Sequence, residues 1–477
     1  MPYQSRSGHR PARRDSKGGG RGTGPDPARR VAYDVLKAVH DRDAYANLLL
    51  PSMLRERKLA GRDAALATEL SYGTLRHQGS YDAILDACVD RSISSVDSDV
   101  LPILRLGAHQ LLNTKIPPHA AVSATITLAR RVVGTHRARF ANAVLRKVAA
   151  RDLGEWLDIV APDGGTDLVG HLAVTHSHPR WIVEALAEAL GEDPAGGLAE
   201  TERLLVAHNE RPQVTLVAKP GRASIADLVN SGAVPARFSP YGVYLPEGDP
   251  ALLREVKQQR AAVQDEASQL VALALSRVGL DGGDAHWLDA CAGPGGKAAL
   301  LAGLAGKRGA RLVAAELQPA RARLVAGAVR RSVRDAGRTV VADSTRPPWR
   351  AGSFDRVLVD APCTGLGALR RRPEARWRRD AGSAAELVPL QRSLLDRALD
   401  ATRPGGVVAY VTCSPHLAET RGVVGEVLAE RSDVTVLRAA DYLDDVPGLA
   451  VGDYAQFWPH RHGTDAMFLA LLRRRSG

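Results

Sequence analysis

Two cysteines stand in strings that could make a thiol reactive. Asp360-Ala-Pro-Cys363-Thr-Gly-Leu-Gly367 and Tyr410-Val-Thr-Cys413-Ser414 each place a cysteine just past an apolar run that reads as a strand. Neighbouring strands lie about 4.8 Å apart, so if these two are adjacent, both thiols face one cleft. A cysteine is ordinarily a small buried hydrophobe, which is the reading for Cys88. A cysteine at the functional edge of a sheet can instead act as a nucleophile once it is a thiolate.

A third string shows what such a thiol could work beside. Asp289-Ala-Cys291-Ala292-Gly293-Pro294-Gly295-Gly296-Lys297 is a glycine-rich turn between a strand and an Ala/Leu helix. Glycines let the backbone approach a ligand closely, and the helix start offers free N–H groups. It is neither GxGxxG nor a P-loop. Acidic residues close the next strands: Glu316 can accept both ribose hydroxyls, Asp343 can meet an adenine amino group, and Asp360 sits beside the reacting centre. Each could singly be a cap of a helix or turn; three in register point to a nucleoside cofactor.

Thiol and nucleoside sites together suit methyl transfer to carbon 5 of a cytosine. Carbon 5 is a poor nucleophile. A thiolate adding to carbon 6 makes it enamine-like, able to attack a methyl sulfonium. The product must then lose the carbon 5 proton and expel the cysteine, a release that a second group can assist.

These residues need a sheet to hold them. His286–Asp289, Arg311–Glu316, Thr339–Asp343, Arg356–Asp360, Val407–Thr412 and Met467–Leu472 read as strands separated by helices, which predicts a parallel, doubly wound α/β domain over 256–477. Upstream, Asp26-Pro27 reads as an N-cap and first helical residue, and helical spacing runs through Ala32, Val35, Leu36, Val39, Leu66, Leu70 and Leu101–Leu112, then Ala121–Val133 and Arg137–Val148. Residues 26–150 are expected to be all-helical. Residues 151–255 read as a small connecting α/β domain, and residues 1–25, rich in Gly, Ser, Arg and Pro, as a disordered basic tail.

The chain has 477 residues, 45% hydrophobic and 25% charged, too long for one core. A formal net charge of +11 points to a polyanionic partner, although the Arg- and Ala-rich usage of a GC-rich genome would also raise it. Four cysteines make no disulfide framework, and no Cys/His cluster suggests a metal. No apolar run reaches a membrane span, and the basic start lacks a secretory h-region, so a cytoplasmic monomer is expected. Arg370, Arg371, Arg372, Arg376, Arg378 and Arg379 crowd the stretch after Cys363 and are expected to hold phosphates around a base flipped from its stack. Arg130, Arg131, Arg137, Arg139, Arg146 and Lys147 give the helical domain its own basic face.

Together these strings resemble the Nol/Nop/Sun family of RNA cytosine-5 methyltransferases. The likeness spans 256–477 and includes Gln264-Asp-Glu-Ala-Ser268, the turn 289–297, the run Asp360–Trp377, Thr412-Cys-Ser414 and His462-Gly-Thr-Asp-Ala-Met-Phe468. It implies S-adenosylmethionine as cofactor, Cys413 as nucleophile, Cys363 as an aid to product release, Asp360 at the cytosine edge and Lys297 in the active site. Residues 26–150 are similar to the NusB-type RNA-binding domain, and that pairing is the arrangement of the Sun/RsmB group, which implies 16S ribosomal RNA as substrate. Two departures are visible. An acid-Asn pair usually follows TCS, where here Pro-His-Leu-Ala-Glu419-Thr420 does, and Ala466-Met467 stand where the closing motif usually has Gly before its aromatic. A DNA enzyme would use Cys363 as nucleophile and have no need of TCS. A small-molecule enzyme would need neither two cysteines nor the arginines. A non-catalytic assembly or antitermination factor would not need an intact cofactor turn.

Overall fold

Asp26 opens the first helix of the computed structural model, its carboxylate accepting the Arg29 N–H at 3.1 Å, with Pro27 in the first turn. The structure describes residues 26–330 and 337–476; the basic tail at 1–25 lies outside them. Helices Pro27–Arg42, Ala46–Glu56, Gly61–Arg76, Gln78–Cys88, Leu101–Leu112, Pro118–Val132 and Thr135–Val148 share one core built from the periodic apolar positions, Val35, Leu36, Leu70, Leu104 and Cys88 among them. That core reaches past residue 150. Trp156 of helix Leu153–Val160 is buried in it and donates its indole N–H to the Val148 carbonyl at 2.9 Å.

The connecting region divides. Three helices, Leu168–Thr175, Arg180–Leu190 and Ala199–Asn209, pack against Leu366, Leu369 and Trp458 of the C-terminal domain. Beyond them lies a small antiparallel sheet of β1 (Val214–Ala218), β2 (Val234–Pro235), β3 (Gly242–Leu245) and β4 (Ala261–Val263), in the order β2-β3-β1-β4. Its last strand pairs with β1, so the unit runs past the boundary read at 255.

The large sheet contains β5 (His286–Asp289), β6 (Arg311–Glu316), β7 (Gly337–Val341), β8 (Phe354–Asp360) and β9 (Thr402–Thr412), all parallel in the order β7-β6-β5-β8-β9. Past β9 the sheet turns antiparallel. The short strands β10 (Val434–Leu437), β11 (Ala450–Val451) and β12 (Tyr454–Gln456) precede β13 (Phe468–Arg474), which pairs with β9 with Phe468 opposite Thr412. The sequence reading took the whole sheet as parallel. The closing strand departs from that reading: it runs antiparallel to each of its partners, β9, β10 and β12.

Helices Glu266–Arg277, Gly296–Lys307 and Pro319–Arg330 cover one face, and Ser383–Ala401 with Arg421–Glu430 the other. Strand order reverses between β5 and β8, and the crevice for a ligand in such a sheet opens at the carboxyl ends of the strands there. Among the described residues no helix is long and apolar enough to cross a membrane.

Candidate active site

The site begins where β5 and β8 end. Asp289 closes β5 fully buried, its Oδ1 accepting the Cys291 N–H at 3.3 Å and its Oδ2 without a partner among the described residues. Burial first, then the Asp360 charge, pushes its pKa up to about 8. The turn 291–297 is held to its neighbours by backbone hydrogen bonds: Ala290 N to Leu358 O at 2.9 Å and Ala292 N to Ala315 O at 2.8 Å. Gly293 lies so close to Glu316 that a Cβ there would stand 2.0 Å from Oε2. That close approach is the geometry a nucleoside cradle needs, since backbone and carboxylate can then reach one ligand.

Glu316 ends β6 buried; Oε1 accepts the Gln318 N–H at 2.9 Å and Oε2 lies 3.6 Å from the Arg321 guanidinium. Asp343 falls two residues past β7 rather than at its end. Its Oδ1 accepts from the Thr345 N–H and hydroxyl at 2.9 and 2.7 Å, bonds that hold its pKa below the ordinary value. It caps the turn, and the next residue, Ser344, donates its hydroxyl to Ala290 O beside the glycine-rich turn at 2.6 Å. The residues therefore fit a nucleoside cofactor. Among the described residues no group of three or more His, Cys, Asp or Glu could hold a metal ion.

The thiols converge. β8 and β9 are adjacent, with Asp360 opposite Val411, and the Cys363 and Cys413 sulfurs lie 3.4 Å apart. Two loops lock that approach. Gly367 donates its N–H to Cys413 O at 2.9 Å and accepts from Ala466 N at 2.9 Å; a Cβ on it would stand 1.9 Å from Ala466 O. Ala466 of the closing motif thus braces the loop by its backbone, which any residue type supplies.

The electrostatics of the pair are opposed. The hydrogen bond from Cys363 lowers the Cys413 pKa against its burial, with Lys297 and Arg372 helping and Asp360 resisting. Cys363, bonded to that developing thiolate and itself buried, is held far above its ordinary value. The two directions make Cys413 the more acidic thiol of the pair. Lys297 donates to Asp360 Oδ2 at 2.9 Å; burial works against its charge, and the ion pair outweighs burial, raising its pKa. Cys291, also in the turn, has its thiol pushed well up by burial.

Glu419 is the residue that motif reading undervalued. Fully buried, it accepts the Thr364 N–H at 2.8 Å, bonds the Thr364 hydroxyl, and accepts the Gln391 amide at 3.0 Å, while Gln391 also donates to Pro362 O at 2.8 Å. The acid in the divergent run after TCS therefore fixes the loop bearing Cys363. A lone carboxylate five residues past Ser414 was the available signal.

The arginine run divides, correcting the expectation that all six hold phosphates. Arg376 is fully buried and donates to the carbonyls of Arg76, Ser177 and His208 at 2.8–3.0 Å and to Asn209 Oδ1 at 2.8 Å. Arg371 bridges Asp265 at 2.7 Å and Asp465 at 2.9 Å, and Arg370 is buried, donating to Gly463 O at 2.8 Å. The guanidiniums of these three are engaged by partners inside the protein. Arg378 is half-buried against Ala44 and Tyr45. Arg372 and Arg379 are exposed.

Comparisons with known proteins identify the family. Residues 280–473 match the family described as 16S rRNA methyltransferase RsmB/F, and residues 26–150 match the NusB family. The chain is 30% identical over 464 residues to the "Probable ribosomal RNA small subunit methyltransferase B" of Bacillus subtilis (strain 168), covering 94% of this chain and 98% of that protein. This chain belongs to the RsmB/F family of ribosomal RNA methyltransferases. Over 456 residues it is 51% identical to "Putative methyltransferase Rv1407" of Mycobacterium tuberculosis (strain H37Rv), covering 94% and 97% of the two chains. The crystal structure of PH0851 shares the fold across 94% of this chain and 99% of its own, with a TM-score of 0.78 at 21% identity. Membership of the RsmB/F family makes the chain an RNA methyltransferase with a NusB-like helical domain, and the cleft between β5, β8 and β9 is its candidate active site.

Proposed function

We propose that the enzyme transfers a methyl group from S-adenosylmethionine to carbon 5 of a cytosine in 16S ribosomal RNA through an adduct between Cys413 and carbon 6. The observation that carries this reading is the thiol pair: two sulfurs 3.4 Å apart at adjacent strand ends, one favoured as thiolate and the other as its donor. S-adenosylmethionine would be held by the turn 291–297 with Glu316 and Asp343 and would supply an electrophilic methyl group. Cys413 Sγ adds to carbon 6, and the displaced π electrons reach carbon 5, which would take the methyl group as the methyl–sulfur bond breaks and its electron pair stays on the departing neutral thioether. Asp360, oriented by Lys297 through Oδ2, presents Oδ1 to the amino edge of the cytosine. Loss of the carbon 5 proton to solvent then re-forms the double bond and breaks the carbon–sulfur bond, returning the electron pair to Cys413. Cys363 donates its S–H to the departing thiolate and so favours release. Arg372, Arg378 and Arg379 are the remaining candidates for phosphate contact beside the cleft, and the protein acts as a monomer.

A denaturing gel of each cysteine variant with RNA and cofactor tests the assignment. Cys363→Ala should transfer the methyl group and stall as a persistent protein–RNA band, whereas Cys413→Ala should give neither product nor band. The reverse pattern exchanges the roles. Activity kept in both, with no band, makes the thiols structural and refutes the covalent route.

A further inference from the structure

Tyr45 lies in the turn between helices Pro27–Arg42 and Ala46–Glu56 of the NusB-like domain, and its side chain is 45% exposed. A large aromatic left open at a domain junction asks for a reason. Both its neighbours are gripped by the catalytic domain: Ala44 O accepts from Arg378, and Ala46 N donates to the buried Glu374 carboxylate at 3.1 Å. Two guanidinium groups converge on the ring, Arg378 at 4.6 Å from its centroid and Arg372 at 5.7 Å. Such contacts are worth about 0.5–1 kcal/mol at an exposed site, too little to explain two like charges on one ring. The acid at hand, Asp43, stands 3.8 Å from Arg378 and is itself 85% exposed. Arg372 and the neighbouring Arg379 are exposed and form no ion pair among the described residues. The cluster thus carries more cation than the protein neutralises, around a ring that stays 45% exposed.

Its place is telling. Arg372 follows Arg371, which is tied to Asp265 and Asp465, and the same loop reaches back through Gly367 to the carbonyl of Cys413. The field of Arg372 is felt at the Cys413 sulfur. A half-exposed aromatic ring beside guanidiniums, Arg372 among them without an ion pair among the described residues, is the recognition chemistry of an unstacked nucleotide: the base stacks on the ring and its phosphate meets the cations.

We infer that Tyr45, with Arg372 and Arg378, is a stacking platform for an RNA nucleotide adjoining the target base. The NusB-like domain then contributes directly to seating substrate at the catalytic cleft. This rests on the RNA reading of the cleft, and the test separates the two. Filter binding of transcribed 16S ribosomal RNA without cofactor, and methylation at varied RNA concentration, are measured for wild type, Tyr45→Phe, Tyr45→Leu and Tyr45→Ala. Stacking on a protein aromatic is worth about 1–3 kcal/mol per base. Tyr45→Ala and Tyr45→Leu should therefore lose about tenfold or more in RNA affinity and raise KM by a similar factor. The kcat at saturating RNA should stay within about twofold and Tyr45→Phe should match wild type. Tyr45→Leu keeps apolar bulk, so its loss cannot be put down to packing. Wild-type affinity in Tyr45→Leu and Tyr45→Ala overturns the platform whatever the chemistry. The loss of affinity without carbon 5 methylation by wild type leaves the platform standing and refutes the reading of the cleft. Unchanged affinity for naked RNA with weakened binding to assembled small subunits assigns the ring to a protein partner and overturns the proposal.

Discussion

The stretch from Arg370 to Arg379 carries six arginines, and the helix pair Pro118–Val132 and Thr135–Val148 carries five with Lys147. In the first stretch, the side chains at 370, 371 and 376 turn inward. Arg376 meets the ends of helices from two other parts of the molecule: Arg76 closes Gly61–Arg76, and His208 is next to last in Ala199–Asn209. Carbonyls at helix C-termini lack intrahelical partners and carry negative partial charge, so one guanidinium satisfies several at once and ties three regions together. In the helix pair every one of the six basic residues is exposed. Arg137 pairs with Asp97 and Lys147 with Asp90, while Arg130, Arg131, Arg139 and Arg146 have no ion pair among the described residues. The same number of cationic side chains thus serves as internal scaffold in one place and as open surface in the other. What separates them is whether unsatisfied acceptors are within reach.

The contrast breaks most visibly at Arg376. Arg376→Met should cost about 3–5 kcal/mol, because it strands buried carbonyls and removes charge-assisted bonds. A lowered thermal midpoint and faster proteolysis between the domains would register it, and an unchanged midpoint would dismiss the scaffold role. Arg371→Ala should cost about 2–3 kcal/mol near neutral pH by leaving Asp265 without its ion pair and Asp465 with only Arg370 at 3.8 Å. Burial already pushes the Asp465 pKa up, with Arg371 opposing it. An acid whose folded pKa exceeds its unfolded value favours the fold below the unfolded value, a benefit lost as pH rises through the folded one. The deficit of the variant relative to wild type should therefore open as pH rises through the carboxylate range and narrow below about pH 4. Denaturant midpoints for both proteins across that range check the sign.

That division was hidden in the sequence for a physical reason. Arg376 and its acceptor on Arg76 are 300 residues apart, and nothing local distinguishes an arginine aimed at a carbonyl from one aimed at water. The features that were legible depend on local punctuation. Asp289 and Glu316 close β5 and β6 where a glycine-rich turn and a helix start follow apolar runs, and Asp26-Pro27 opens its helix as a cap should. Where punctuation is weak, the reading slipped: β7 stops at Val341, short of Asp343, and β4 joins a sheet whose other strands lie more than fifteen residues upstream. The thiol pair falls between these cases. Its two strings were legible, but their adjacency rests on β8 and β9 pairing across the helix Ser383–Ala401, and the hold of Glu419 on Thr364 needed the fold.

The smallest expected effect on stability sharpens the other side of the comparison. Arg130 and Arg146 flank a groove of about 430 Å³ between the two basic helices, lined also by Pro118, His119 and Asn142. Neither arginine has an internal ion pair among the described residues, so neither has a structural task to lose. Arg130→Ala with Arg146→Ala should shift stability by less than about 0.5 kcal/mol, as exposed sites generally do. RNA binding should respond instead. Each phosphate contact contributes roughly 0.7–0.9 to the slope of log affinity against log salt, so losing two should flatten that slope by about 1.4–1.8 while S-adenosylmethionine affinity stays the same. Salt titrations of RNA binding for the wild type and the double variant measure this directly. An unchanged slope would mean that the open arginines are only a solvated face, and a lowered thermal midpoint would mean that they share the scaffold role of Arg376.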